Sequence, residues 1–306
     1  MIRITNLRKH FGDVQAVNGI SLDIRRGEVF GFLGPNGAGK TTTIRMICGL
    51  LPASGGTVEF TDPLLKREGI KNHLGICPQE NIFWPKLTCR EQLVFMAEMY
   101  GSTARLARER ADRLLEMLGL TGKAKALAAN LSGGMKRRLN IALALVHDPQ
   151  VLALDEPEAG LDPQSRLLVR NFIKGLAREK TVILTTHNMD EADRLADRVA
   201  IIDQGQLLKL DTPTNLKRSI GEGDLLEIAV DQAADEVAIL AAIRPICQTV
   251  TCRDGRLILR APHLVGLLPE ITARLAGLGV PAREITLREN TLEDVFIHLT
   301  GRTLRV

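Results

Sequence analysis

The chain has 306 residues, a length that suggests two domains. Its 45% hydrophobic and 25% charged residues can build a packed core, which excludes a disordered or collagen-like chain. Aromatics at 3% are too sparse for stacking platforms along single-stranded nucleic acid, and a net charge of +4 is too weak to imply a polyanion partner.

In chain order, the apolar run 29–33 predicts a buried strand, followed by a Gly-rich turn and a helix over 40–50. Further core strands are predicted at 74–77, 151–154 and 181–186. Helices are predicted over 90–100, 105–118, 133–147, 163–178 and 189–196, so strands alternate with helices as in a mostly parallel, helix-covered α/β sheet. Residues 201–208 read as a hairpin turning at Gln204 and Gly205. The pattern then changes: a strand over 225–230, a helix over 236–243, a hairpin of 248–252 and 256–260 around Asp254 and Gly255, a helix over 263–278, a strand over 283–287 and a last helix over 292–299. The order β-α-β-β-α-β predicts a small ferredoxin-like α+β domain. Charge changes sign at the same place, with 31 basic against 24 acidic residues over 1–220 and 9 against 12 over 221–306. We therefore expect one domain over 1–220 and a second over 221–306, with the boundary near 221–223.

The longest uncharged stretch, 46–58, is shorter than the roughly 18 apolar residues of a membrane span. The N-terminal residues lack an apolar signal core, which predicts a cytoplasmic protein. Cys48, Cys77, Cys89, Cys247 and Cys252 contain no C-x-x-C pair and read as reduced thiols.

The strongest chemical signal is Gly34-Pro35-Asn36-Gly37-Ala38-Gly39-Lys40-Thr41, a complete G-x-x-x-x-G-K-[ST] phosphate loop between a strand and a helix. Its glycines let successive N–H groups face phosphate oxygens at a helix N-terminus, with Thr42 next in the cradle. Lys40 is expected to reach the β- and γ-phosphates of ATP, and the Thr41 hydroxyl to ligate Mg2+. The strand over 151–154 ends in Asp155 and Glu156, placed to hold magnesium and to polarise an attacking water. Ser132, Gly133 and Gly134 open another helix and form a second anion-binding N-terminus. One phosphate group does not need two distant helix starts from one subunit, so the second is expected to cap the γ-phosphate bound by another copy. The run Lys136-Arg137-Arg138 reads as a solvated helix face or one meeting an acidic neighbour, and Arg105, Glu109 and Arg113 as a salt-bridged exposed helix.

The phosphate loop, Gln79, Leu131-Ser-Gly-Gly-Met135, Leu154-Asp-Glu-Pro157, Gly160-Leu-Asp162 and His187 occur in the order and spacing of ABC ATPase subunits, which residues 1–220 resemble. The resemblance implies head-to-tail dimers sandwiching two ATP molecules. It implies that Phe11 stacks on adenine, with simple packing as the alternative. Gln79 would sense magnesium and the membrane subunit, Asp162 would lie in the cross-dimer loop, and His187 would be the switch contacting the γ-phosphate. Met135 and Glu158 depart from the usual Gln and Thr or Ser. The segments 291–301 and 77–82 resemble the drug-resistance, nodulation-factor and polysaccharide exporter group. That implies a homodimer beneath separate integral membrane permease subunits, peripheral on the cytoplasmic face, with no nucleic acid partner. An importer ATPase, or a soluble ABC ATPase acting on nucleic acid or ribosomes, are the alternatives. The second has only one phosphate loop to draw on here and no room for an inserted coiled coil.

Overall fold

The computed structural model describes residues 1–62, 70–177, 179–220, 224–230, 235–247, 249–253, 255–261, 264–282 and 284–301. The expected boundary at 221–223 lies outside the described residues, as do Arg178, Gln248, Asp254, His263 and Arg283, which border expected elements. The described chain forms two units, one from Met1 to Pro213 and one beginning at Thr214.

The first unit opens with β1 (Ile2–Phe11) and β2 (Val14–Ile24), an antiparallel pair. Next, β3 (Val29–Leu33) leads through the glycine loop into α1 (Lys40–Ile47), followed by β4 (Gly55–Phe60) and β5 (Leu74–Cys77). A helical stretch comprises α2 (Cys89–Met99), α3 (Ala104–Met117) and α4 (Gly133–Leu145). The unit then continues through β6 (Val151–Asp155), α5 (Pro163–Leu176), β7 (Thr181–Thr186), α6 (Met189–Leu195), β8 (Arg198–Asp203) and β9 (Gln206–Asp211).

The main sheet has the order β5-β6-β7-β3-β8-β9, parallel except for the terminal β8–β9 hairpin. That hairpin turns on Gln204 and Gly205, both with positive φ, as a two-residue turn matched to strand twist requires. Strands β3, β6 and β7 are buried throughout, the mark of a sheet covered on both faces. Their alternation sorts the core. Val151, Ala153 and Ile183 face α1 and the first strands, whereas Leu152, Leu154, Val182 and Leu184 face the helices. The α1 helix stops at Ile47 rather than at 50, and Gly49 at φ 69° turns the chain away.

A second sheet, of order β2-β1-β4, was not expected. Its register shifts between Ile4 and Leu7 and again beyond Leu7 and Lys9, so the inward residues do not follow a clean period of two.

The unit from Thr214 follows α7 (Pro213–Arg218) with β10 (Asp224–Ala229), α8 (Glu236–Ile243), β11 (Thr249–Arg253), β12 (Arg256–Ala261), α9 (Leu264–Gly277), β13 (Glu284–Arg288) and α10 (Leu292–Thr300). Its antiparallel sheet has the order β11-β12-β10-β13 over a core of Leu226, Ile228, Ile239, Leu259, Ile271 and Leu275. Among the described residues no helix is long and apolar enough to cross a membrane.

Candidate functional site

The loop between β3 and α1 must bend where side chains do not fit. A Cβ on Gly34 would lie 2.1 Å from the Ile202 carbonyl oxygen, and one on Gly39, at φ 99°, would lie 2.4 Å from that of Ala16. Asn36 and Gly37 are exposed at the crest, Pro35 is half-buried and Ala38 buried beneath it, and Thr42 is half-buried in the first helical turn. The loop closes over its own lysine. Lys40 is buried, and its Nζ donates to the carbonyls of Gly34 at 2.8 Å and Pro35 at 3.0 Å. Burial lowers the Lys40 pKa below the ordinary lysine value, against the opposing pull of Glu156 and Asp155.

The tip of β6 meets this loop. Asp155 Oδ1 accepts from the Thr41 hydroxyl at 3.0 Å and from the Thr185 hydroxyl at 2.5 Å. Glu156 has φ 51°, unusual for a residue with a Cβ and common where a site stores strain. It is held there by its N–H, which donates to the Thr185 side chain and carbonyl. Its carboxylate sits between two nitrogens, Lys40 Nζ at 3.7 Å and His187 Nδ1 at 2.8 Å. The His187 side chain is half exposed, beside a cavity of about 170 Å³ lined by Glu156, Pro157, His187 and Asn188.

This cluster suits a magnesium–nucleotide. Thr41 and Asp155 offer hard oxygen donors on one side of a loop whose lysine supplies a cation, and magnesium characteristically takes one or two carboxylates plus phosphate oxygens and water. Consistent with that sparse donor set, no group of three or more His, Cys, Asp or Glu that could hold a metal occurs among the described residues.

The remaining expected site residues form separate groups. Ser132 caps α4 by accepting from the Met135 N–H, and Asp162 caps α5 by accepting from the Ser165 N–H. These two helix starts lie side by side, since a Cβ on Gly134 would stand 3.3 Å from Asp162 Oδ2. Ser132 and Gly133 are exposed, and among the described residues no hydrogen bond joins them to the loop Gly34–Thr41. Phe11 is 51% exposed at the end of β1, with Lys9 Nζ 5.2 Å from its ring centre. Gln79 is exposed beyond β5.

One expectation is corrected here. Arg137 and Arg138 are buried, not a solvated face. The five donors of Arg137 reach the carbonyls of Pro78, Gln79, Asp155, Glu156 and Pro157, tying α4 to the Gln79 segment and to the end of β6. Arg138 Nη1 donates to Leu118 O at 2.8 Å. Carbonyls, rather than carboxylates, accept these hydrogen bonds from both guanidinium groups, which composition alone does not signal. The exposed Arg105–Glu109 pair is present at 3.7 Å. Thr185 was also missed. It is directly paired with Asp155 across β6 and β7, so aligning the two strand tips points to it.

Residues 17–159 match the family model described as ABC transporter. The chain is 39% identical over 312 residues to the linearmycin resistance ATP-binding protein LnrL of Bacillus subtilis (strain 168), covering 100% of each. It is 40% identical over 311 residues to the Nod factor export ATP-binding protein I of Burkholderia orbicola (strain AU 1054), covering 99% of this chain and 98% of the relative. Among solved structures it resembles the ATP-binding cassette MJ0796, a dimer in a post-hydrolysis state bound to ADP and Pi. The TM-score is 0.63 at 26% identity, over 69% of this chain and 98% of that one.

Proposed function

We infer the activity of this chain from one premise: it belongs to the ABC transporter ATP-binding proteins, with full-length relatives in drug-resistance and Nod factor export. It is an ABC ATPase that hydrolyses ATP for transport, and the family's cassettes work as dimers beside membrane permeases. ATP with bound Mg2+ supplies the scissile phosphoanhydride and a charge-neutralised leaving group.

The chain's own residues then take the following roles. The loop Gly34–Thr42 cradles the phosphates, and Lys40, freed from its own loop carbonyls, faces the β- and γ-phosphates. Thr41 and Asp155, already sharing a hydrogen bond, hold the cation together with Gln79. Glu156 orients and deprotonates the attacking water, and His187 steadies Glu156 and the γ-phosphate. Phe11 stacks on adenine. Ser132, Gly133 and Asp162, exposed together around the buried Gly134 and apart from the phosphate loop, close the site of a second copy, so the working form is a homodimer. The observation that carries the reading is Glu156 strained at the tip of β6 between Lys40 and His187.

We place the ATPase domain over 1–220 and an accessory domain over 221–306. The sheet order β11-β12-β10-β13 supports a ferredoxin-like reading of the latter, because the strand order of that fold, counted along this unit, is the same. The exposed apolar residues Ile82, Trp84, Phe95, Met99 and Tyr100 beyond Gln79 support a permease docking surface there, and a peripheral position on the cytoplasmic face of the membrane is the reading that goes with such a partner. Export is favoured over import by the Nod factor export relative, with the linearmycin resistance relative in keeping with it.

The Glu156→Gln variant tests the reading. It should bind ATP, lose hydrolysis by a factor of about 10² or more, and accumulate ATP-bound dimers in light scattering. Wild-type turnover in that variant would remove Glu156 from the mechanism.

A further inference from the structure

The loop after β6 carries a second acid, Glu158, which the site above does not use. It is 9% exposed and lines the same cavity as Glu156 and His187. Neither of its carboxyl oxygens has a hydrogen-bond partner among the described residues that brings its own proton. Across from it stands Glu191 of α6, close enough for the two side chains to hydrogen bond if one carries a proton. Glu191 is in turn gripped by Arg170 of α5, whose Nε donates to Oε2 at 2.9 Å and whose Nη2 donates to Oε1.

Two buried carboxylates in contact cannot both remain charged without a cation for each. Arg170 commits its fork to Glu191, which fixes the negative charge there. Arg166, which lines the cavity, donates to the Leu161 carbonyl at 3.3 Å. The ionisable groups around Glu158 are therefore Glu156 from its own loop, His187 before α6, Glu191 from α6, and Arg166 and Arg170 from α5, with Asp190 of α6 acting on Arg170. Nothing in this set supplies Glu158 with a donor of its own.

We propose that Glu158 carries a proton and donates it to the Glu191 carboxylate, and that this bridge fastens the loop bearing Glu156 to the helix that follows His187. Glu158 is thus a positioning residue for hydrolysis. The bridge spans the same two segments whose reacting ends meet in the 2.8 Å contact between Glu156 and His187. The positioning role rests on the function proposed above; the location of the proton does not.

Burial, then the bond to Glu191 and its charge, push the Glu158 carboxyl up to about 9. Its contribution to stability is whole below the ordinary value of 4.5 and declines above it, and the bridge is lost as pH rises through the raised value. Lys40, whose own pKa is lowered, also loses charge in alkali, but equally in wild type and in a Glu158 variant, so the difference between them isolates the bridge.

The test compares wild type, Glu158→Gln and Glu158→Ala as full chains. Infrared difference spectra of wild type should show a protonated carboxyl at neutral pH that titrates away in alkali and is missing from Glu158→Gln. The glutamine amide donates the same bond at every pH. That variant should keep neutral-pH turnover and carry its alkaline fall in kcat roughly one pH unit or more higher. Glu158→Ala should lose about tenfold in kcat with KM for ATP little changed. A wild-type spectrum without the protonated carboxyl overturns the shared proton. Coincident alkaline limbs in wild type and Glu158→Gln overturn the positioning role. Failure of the Glu156 assignment would show separately, as hydrolysis surviving in Glu156→Gln.

Discussion

Replacing Arg137 with Met keeps a long apolar stem and removes a guanidinium that five carbonyls share. The contacts to Pro78 and Gln79 are only partly buried, so water can take over there. Those to Asp155, Glu156 and Pro157 are buried, and each carbonyl left without a donor costs about 1–3 kcal/mol. Relief from burying a charge offsets part of that loss, leaving a net destabilisation of roughly 3–4 kcal/mol. For a domain of this size the melting temperature should fall by about 10 °C. Urea and thermal unfolding of the full chain measure it. Turnover should drop further than ATP affinity, because the released carbonyls belong to the Gln79 segment and to the strand end that aims Glu156. Lys136→Ala is the internal control: that side chain lies over the Phe83 ring at 5.6 Å, and its loss should cost no more than about 1 kcal/mol. An Arg137→Met protein as stable as Lys136→Ala would refute the reasoning.

Lys40→Ala should weaken ATP binding in equilibrium dialysis, and unchanged affinity would contradict the phosphate role of that lysine. The double variant Trp84→Ala, Phe95→Ala breaks an edge-on ring pair at 5.4 Å. It should abolish co-purification of the membrane subunit while leaving ATP affinity intact; full retention of that subunit would place the docking surface elsewhere. In the unit from Thr214, burial tends to raise the Asp294 pKa, but bonds from Arg288 and Thr291 outweigh it and hold the carboxyl below its ordinary 3.8. The stability this gives is present above 3.8 and lost as pH falls through the lower folded value. Protection factors of the β10–β13 amides against hydrogen exchange should therefore fall in acid for wild type, with a weaker acid dependence in Asp294→Asn. Identical acid dependence would rule the contribution out.

The parallel sheet was legible because its strands are continuous apolar runs bounded by glycine or acidic tips, as in 29–33 and 151–155. The expected helices were legible from their apolar spacing, and their ends in the structure differ by at most three residues, whereas α7 was not anticipated. The sheet of β1, β2 and β4 was not legible. Its bulges break the alternation, and Asn6 and Gly19 take positive φ inside what would otherwise be two regular strands. The nucleotide cradle was legible since a phosphate loop is a local motif, complete within Gly34–Thr41. Thr185, Arg137 and the Glu158–Glu191 pair depend on contacts between residues 18 to 59 apart, which no local window contains. The arginines were misread for a further reason. A basic run is usually solvated, and here two of its three members are consumed by carbonyls.

The central claim is that each ATP site is completed by a second copy, and mixing two inactive proteins tests it most directly. Lys40→Ala has two defective phosphate loops per homodimer, and Ser132→Arg has two defective caps. In a heterodimer of the two, the intact loop of one protomer meets the intact Ser132 of its partner. Purified heterodimer should recover ATP hydrolysis that both homodimers lack. Heterodimers as inactive as their parents would contradict the shared site.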